Sequence, residues 1–78
     1  MPHYYFDVHD GDHLSPDQVG LDCPTPAKMR DEAVGALPGI ARDVLPDGDG
    51  QDFWIEVRDD KGRHVFRASL KLTSEWLV

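Results

Sequence analysis

Only one cysteine, Cys23, occurs in the 78 residues, so no internal disulfide can staple the fold and a reducing, cytoplasmic setting is expected. Cations are also scarce. Eight Lys and Arg face fifteen Asp and Glu, for a formal net charge of -7. A nucleic-acid backbone or an anionic membrane repels a surface of that sign. No apolar run approaches the roughly 20 residues needed to span a bilayer. The opening Met1, Pro2, His3 lacks the cationic and apolar regions of a signal peptide. Catalytic signatures are missing as well. Ser15, Ser69 and Ser74 sit in no nucleophile motif, and Cys23, followed by Pro24, has no evident base. No Gly-rich phosphate loop is present, because Asp47-Gly48-Asp49-Gly50 is acidic. No catalytic residue, cofactor or metal ligand is therefore assigned.

What remains is material for one small domain over residues 1–78, at 40% hydrophobic and 29% charged. Turn-forming clusters stand at Asp10-Gly11-Asp12, at 47–50 and at Asp59-Asp60-Lys61-Gly62. Between them the pattern alternates. In residues 4–9, Tyr4, Phe6 and Val8 fall on one face and Tyr5, Asp7 and His9 on the other, which predicts a strand. Residues 18–22 predict a second, shorter strand, joined to the first by a long loop. Phe53, Ile55 and Val57 alternate with Trp54, Glu56 and Arg58 in a third. A fourth, about 64–73, sets Phe66, Ala68, Leu70 and Leu72 inward, with Val65, Arg67, Ser69 and Lys71 outward.

The middle of the chain changes period. Thr25 suits an N-cap and Pro26 the first helical position. Met29, Ala33, Leu37, Ile40 and Val44 recur at helical spacing, predicting a helix that ends near Leu45. Pro38 lies inside it, between Gly35 and Gly39. Its ring removes a hydrogen bond to the Val34 carbonyl, so a kink or break is expected there. The order β-β-α-β-β predicts an α+β fold: a four-stranded antiparallel sheet, spatial order 2-1-3-4, with one helix packed on one face. The expected core comprises Tyr4, Phe6, Leu21, Met29, Leu37, Ile40, Phe53, Ile55, Val57, Phe66, Leu70 and Leu72.

Four stretches carry a family resemblance. They are Met1-Pro2-x-Tyr4-Tyr5-Phe6-Asp7-x-x-Asp10-Gly11; Pro16-Asp17-x-x-Gly20-Leu21; Ile40-Ala41-Arg42-Asp43-x-Leu45-Pro46; and Glu56-Val57-Arg58-Asp59-x-x-Gly62. In this order they resemble small bacterial proteins grouped as a domain of unknown function (number 6894). The resemblance implies the β-β-α-β-β fold over nearly the whole chain and brings no activity with it.

Two constellations invite a metal. Counted from Asp47, an EF-hand loop would need Gly sixth and Glu twelfth, but Asp52 and Arg58 stand there, so a solvated turn is the better reading. His3 and His9 share a strand face six residues apart, too far for one ion, and His9 and His13 match no recognised spacing. Asp7 and Glu56 would lie side by side if the first and third strands pair, and two facing carboxylates raise one pKa. Arg58 and Arg67 share that sheet face, so a salt-bridge network is expected instead.

One helix covers one sheet face. The other is expected to carry Tyr5, Trp54, Arg58 and Arg67, residue types enriched at binding hot spots. These four are the candidate binding residues of a noncatalytic interaction module, for a protein partner or a second copy in a homodimer. A nucleic-acid-associated regulatory protein using the same aromatic and basic residues is the alternative, and the net charge opposes it. Trp76-Leu77-Val78 is a competing cover for this face, and a plain solvated sheet surface is the bland reading of it.

Overall fold

The computed structural model describes residues 2–11, 13–44 and 50–78. The alternating N-terminal segment forms β1 (His3–Asp10), and the chain continues through β2 (His13–Ser15), β3 (Leu21–Asp22), α1 (Pro26–Val44), β4 (Gly50–Arg58) and β5 (His64–Thr73). This is an α+β domain with one helix and an antiparallel sheet. β1 pairs with β4 from Tyr5 against Arg58 to Asp10 against Phe53, and β4 pairs in turn with β5.

Among the described residues the sheet has five strands, not the expected four, and its order is β2-β1-β4-β5 with β3 also on β1. The expected second strand, 18–22, shrinks to Leu21–Asp22, and His13–Ser15 pairs separately near the other end of β1. The cause is Asp17. Its carboxylate accepts the Phe6 amide at 3.1 Å, where a neighbouring strand would offer a carbonyl. The same carboxylate accepts the Val19 and Gly20 amides, each at 3.0 Å, which folds 17–20 into a turn. The Cys23 amide donates to the Pro2 carbonyl on this same edge of β1, whereas the Gly11 amide reaches Asp52 on the β4 side. Even-numbered residues of β1 therefore face the short strands and odd-numbered ones face β4.

Gly20 has a φ of 77°, and a Cβ there would come within 2.8 Å of the Tyr4 carbonyl, so glycine is required twice over. At the β4–β5 connection the Asp59 carboxylate accepts the Lys61 and Arg63 amides, and Gly62 takes the positive φ that its sequence position predicts.

α1 starts as the sequence predicts. The Thr25 hydroxyl accepts the Lys28 amide at 3.1 Å, and Pro26 opens the first turn. Met29, Ala33, Leu37 and Ala41 are buried at four-residue spacing against Phe53, Ile55, Val57 and Ala68. Each large side chain removed from water there contributes about 1.5–3 kcal/mol. Cys23 is wholly buried in the same cluster, and that burial raises its thiol pKa, which makes it a packing residue and a poor nucleophile.

Two expected core residues are not core. Leu21 in the two-residue β3 and Leu70 in the edge strand β5 are 43% and 41% exposed, because each has a strand neighbour on one side only. Tyr4, Phe6, Ile40, Phe66 and Leu72 are half-buried.

Of the kink or break expected at Pro38, the break is absent: α1 runs through it as one helix of 19 residues. Pro38 and Val34 both lie on the exposed side, so the Val34 carbonyl that loses its bond faces water. The buried stripe holds both halves of the helix against the sheet. The expected helix end near Leu45 and the acidic loop 47–49 lie outside the described residues.

Replacing Pro38 restores a backbone donor without touching the core. Pro38→Ala should raise stability by about 1–3 kcal/mol in urea denaturation. A clear loss of stability would mean that the ring has a packing role this fold does not show.

Candidate functional site

The face of the sheet away from α1 is set by register. His9 lies opposite Trp54, and Trp54 opposite Ser69; Asp7 lies opposite Glu56, and Glu56 opposite Arg67. The tail does not cover it: Trp76 is 86% exposed, so the competing cover is removed.

Arg58 is committed within the fold. Its Nε donates to Asp7 Oδ2 at 2.6 Å, and its Nη2 donates to Asp7 Oδ1 and to the Asp17 carbonyl, both at 3.1 Å. The guanidinium lies over the Tyr5 ring, 5.0 Å from its centre. Asp7 is the one buried charged residue among those described, and it also accepts the Asp17 amide at 2.9 Å. Burial alone would push its pKa up. The Arg58 guanidinium and the Asp17 amide outweigh burial, and the carboxyl lies below its ordinary value. Asp17 behaves alike: its desolvation is overcome by the Phe6, Gly20 and Val19 amides.

Asp7 and Glu56 do face each other, yet neither pKa rises. Glu56 binds Arg67 on one oxygen and His64 Nδ1 on the other, the latter at 2.9 Å, and the Arg67 hydrogen bond leads in lowering its pKa. The expected salt-bridge network is therefore present. His64 reaches Glu56 because the register shifts at Val57/Arg58, which leaves Val65 as an extra residue between His64 and Phe66. Strict alternation had put Val65 on this face and left His64 off it.

At the other end the His9 and Trp54 rings stack, 4.6 Å between centres and 10° from parallel. The Trp54 Nε1 is buried and has no hydrogen-bond acceptor among the described residues. Beside it lies an open depression of about 290 Å³, lined by Trp54, Asp52, Arg67, Ser69 and Lys71 with Phe53 and Leu70. Of the four predicted binding residues, Tyr5 and Arg58 thus meet in one cluster, while Trp54 and Arg67 flank the depression. The stacking of His9 on Trp54 is not readable from the sequence, because a histidine opposite a tryptophan becomes visible only once the register is known.

His3 forms a separate clamp. Its Nδ1 meets Asp22 Oδ1 at 2.5 Å and its Nε2 meets the Val19 carbonyl at 2.9 Å. Both partners are acceptors, so both contacts are hydrogen bonds only in the imidazolium, and the Asp22 bond leads in raising the His3 pKa. Among the described residues no group of three or more His, Cys, Asp or Glu side chains is placed to hold a metal ion, and no helix is long and apolar enough to cross a membrane.

The model of one family, described as Domain of unknown function (DUF6894), matches residues 3–71. The chain belongs to this family. No curated protein and no solved structure matches. Within the matched span, the stretches that carried the resemblance contain Asp7, Asp17, Gly20, Arg58, Asp59 and Gly62, the residues that build the Arg58 cluster and the two tight turns.

The lowered pKa values of Asp7 and Asp17 fix the sign of an acid effect. Their contribution is complete above the unfolded carboxylate value near 4 and fades as pH falls through the lower folded values. Asp7→Asn should cost about 1–3 kcal/mol at neutral pH, because Arg58 is partly solvated, and should flatten the acid limb of urea stability. An equally steep limb in the variant would contradict the assignment. His3 has the opposite sign. Its raised pKa gives a contribution that is complete below the unfolded value near 6.5 and lost as pH rises through the folded one. The pH dependence in that window should vanish in His3→Gln and persist in the parent.

Proposed function

We propose that the chain is a noncatalytic interaction module that binds a protein partner on the sheet face opposite α1. The single observation that carries this reading is Trp54, stacked on His9 at the rim of an open depression and left without an acceptor for its Nε1. A rigid aromatic beside a shallow hollow suits an anchor residue. Ser69 and Lys71 add polar contacts at the rim. Tyr5 and Arg58 frame the face as a pre-set unit, and Arg67 keeps an exposed guanidinium beside Glu56. The lone buried thiol of Cys23 fits a cytoplasmic setting.

The nucleic-acid alternative has less to rest on. Single-strand binding needs uncompensated cations and free aromatic faces. Here Arg58 is matched by Asp7, Arg67 by Glu56, and one face of Trp54 is taken by His9.

Cross-linked capture with the full chain tests the proposal. Trp54→Ala should leave the far-ultraviolet circular dichroism unchanged and weaken the partner captured by the parent by about 2 kcal/mol or more. Identical affinity in parent and variant would remove Trp54 as the anchor.

A further inference from the structure

The two long edges of the sheet are treated differently. On β1 the outer edge is closed by β2, by the Asp17 carboxylate on the Phe6 amide, and by β3. On β5, a strand of ten residues, the outer edge has no strand beside it among the described residues. Register sets which of its backbone groups are free. Odd-numbered residues of β1 face β4, so Trp54 and Glu56 turn to β1, and Phe53, Ile55 and Val57 turn to Leu70, Ala68 and Phe66. The N–H and C=O groups of Arg67, Ser69, Lys71 and Thr73 therefore point away from the sheet.

We propose that β5 pairs antiparallel with β5 of a second copy of this chain, across a two-fold axis at Leu70, joining two sheets into one. This edge adjoins the partner face, since Arg67, Ser69, Leu70 and Lys71 also line the depression. Leu70 lies on the core side of the sheet, since it faces the buried Phe53, and is 41% exposed. The two-fold axis sets it against Leu70 of the second copy and sets Ala68 against Leu72, which extends each core sideways. Charge excludes the registers one residue to either side. With the axis at Leu70, Ser69 faces Lys71 and Arg67 faces Thr73, so no two like charges are directly opposed. Moving the axis to Ser69 puts Arg67 against Lys71, and moving it to Lys71 puts Lys71 against its own copy, both destabilising.

The tail supplies a second argument. Trp76, Leu77 and Val78 are 86%, 86% and 111% exposed, three consecutive apolar side chains without cover in the single chain. They follow β5 in sequence, separated from Thr73 by Ser74 and Glu75. Antiparallel pairing about Leu70 lays them beside the start of β5 in the second copy, where the edge is equally open.

Sedimentation equilibrium of the full chain from micromolar to millimolar concentration, with amide exchange read residue by residue, tests this. The mass should rise from one chain to two. Exchange at Arg67, Ser69, Lys71 and Thr73 should slow in step with the dimer, while Phe66, Ala68 and Leu70, already bonded to β4, stay unchanged. Leu70→Lys opposes two like charges at the axis and should remain monomeric with unchanged circular dichroism. If it fails to fold, Ser69→Pro is the second variant, since it deletes an outward N–H and no bond to β4. A chain that stays monomeric at millimolar concentration would overturn the proposal. So would a dimer in which those four amides exchange as fast as in the monomer, or a folded Leu70→Lys that dimerises like the parent.

Discussion

One guanidinium joins three parts of the chain that are distant in sequence. Arg58 in β4 donates to Asp7 in β1 and to the carbonyl of Asp17 in the loop, while the Asp17 carboxylate binds the Phe6 amide of β1. A buried carboxylate is costly without partners, and Asp7 meets that cost with two guanidinium bonds and one amide. The arrangement is mutually dependent. Asp17 closes the edge of β1 only if its loop is held, and Arg58 holds the loop only while Asp7 fixes the guanidinium. The positive φ of Gly20 and the His3 clamp on Asp22 and Val19 complete the same loop.

This dependence changes what the outer face offers. An arginine over a tyrosine looks like a hot spot in sequence, but here it is part of the scaffold, with its charge and its donors largely used. Residues of the family stretches belong to the scaffold too: Asp7, Asp17, Gly20, Arg58 and Gly62 shape turns and edges. On the proposed reading, the part of the face left for a partner is the other end, where Trp54, Ser69 and Lys71 border the depression. The helix lies wholly on the far side, so this end is exposed by construction of the fold.

Much of the fold was legible in the alternation of β1, β4 and β5 and in the Thr25-Pro26 helix start, because local periodicity and capping decide those elements. The split of the second strand was not, since it depends on one side chain, Asp17, replacing a strand across a gap of eleven residues. Nor was the course of α1 through Pro38: the rule against interior proline is local, whereas the packing of Leu37 and Ala41 that overrides it is tertiary. The candidate site was half visible. Tyr5, Trp54, Arg58 and Arg67 do share one face, but their partners Asp17, His9 and His64 follow from loop geometry and from the bulge at Val57/Arg58. Leu70 and Leu21 satisfied the apolar pattern yet lie at edges, which periodicity does not reveal.

The claim on which the rest stands is that a side chain, not a strand, closes the middle of the β1 edge. Amide exchange at Phe6 tests it most directly. In the parent the Phe6 amide should be protected, although no backbone carbonyl faces it. In Asp17→Ala it should lose that protection, while the amides of Asp7 and His9, which face β4, keep theirs. A Phe6 amide that is unprotected in the parent, or equally protected in the variant, would contradict the account.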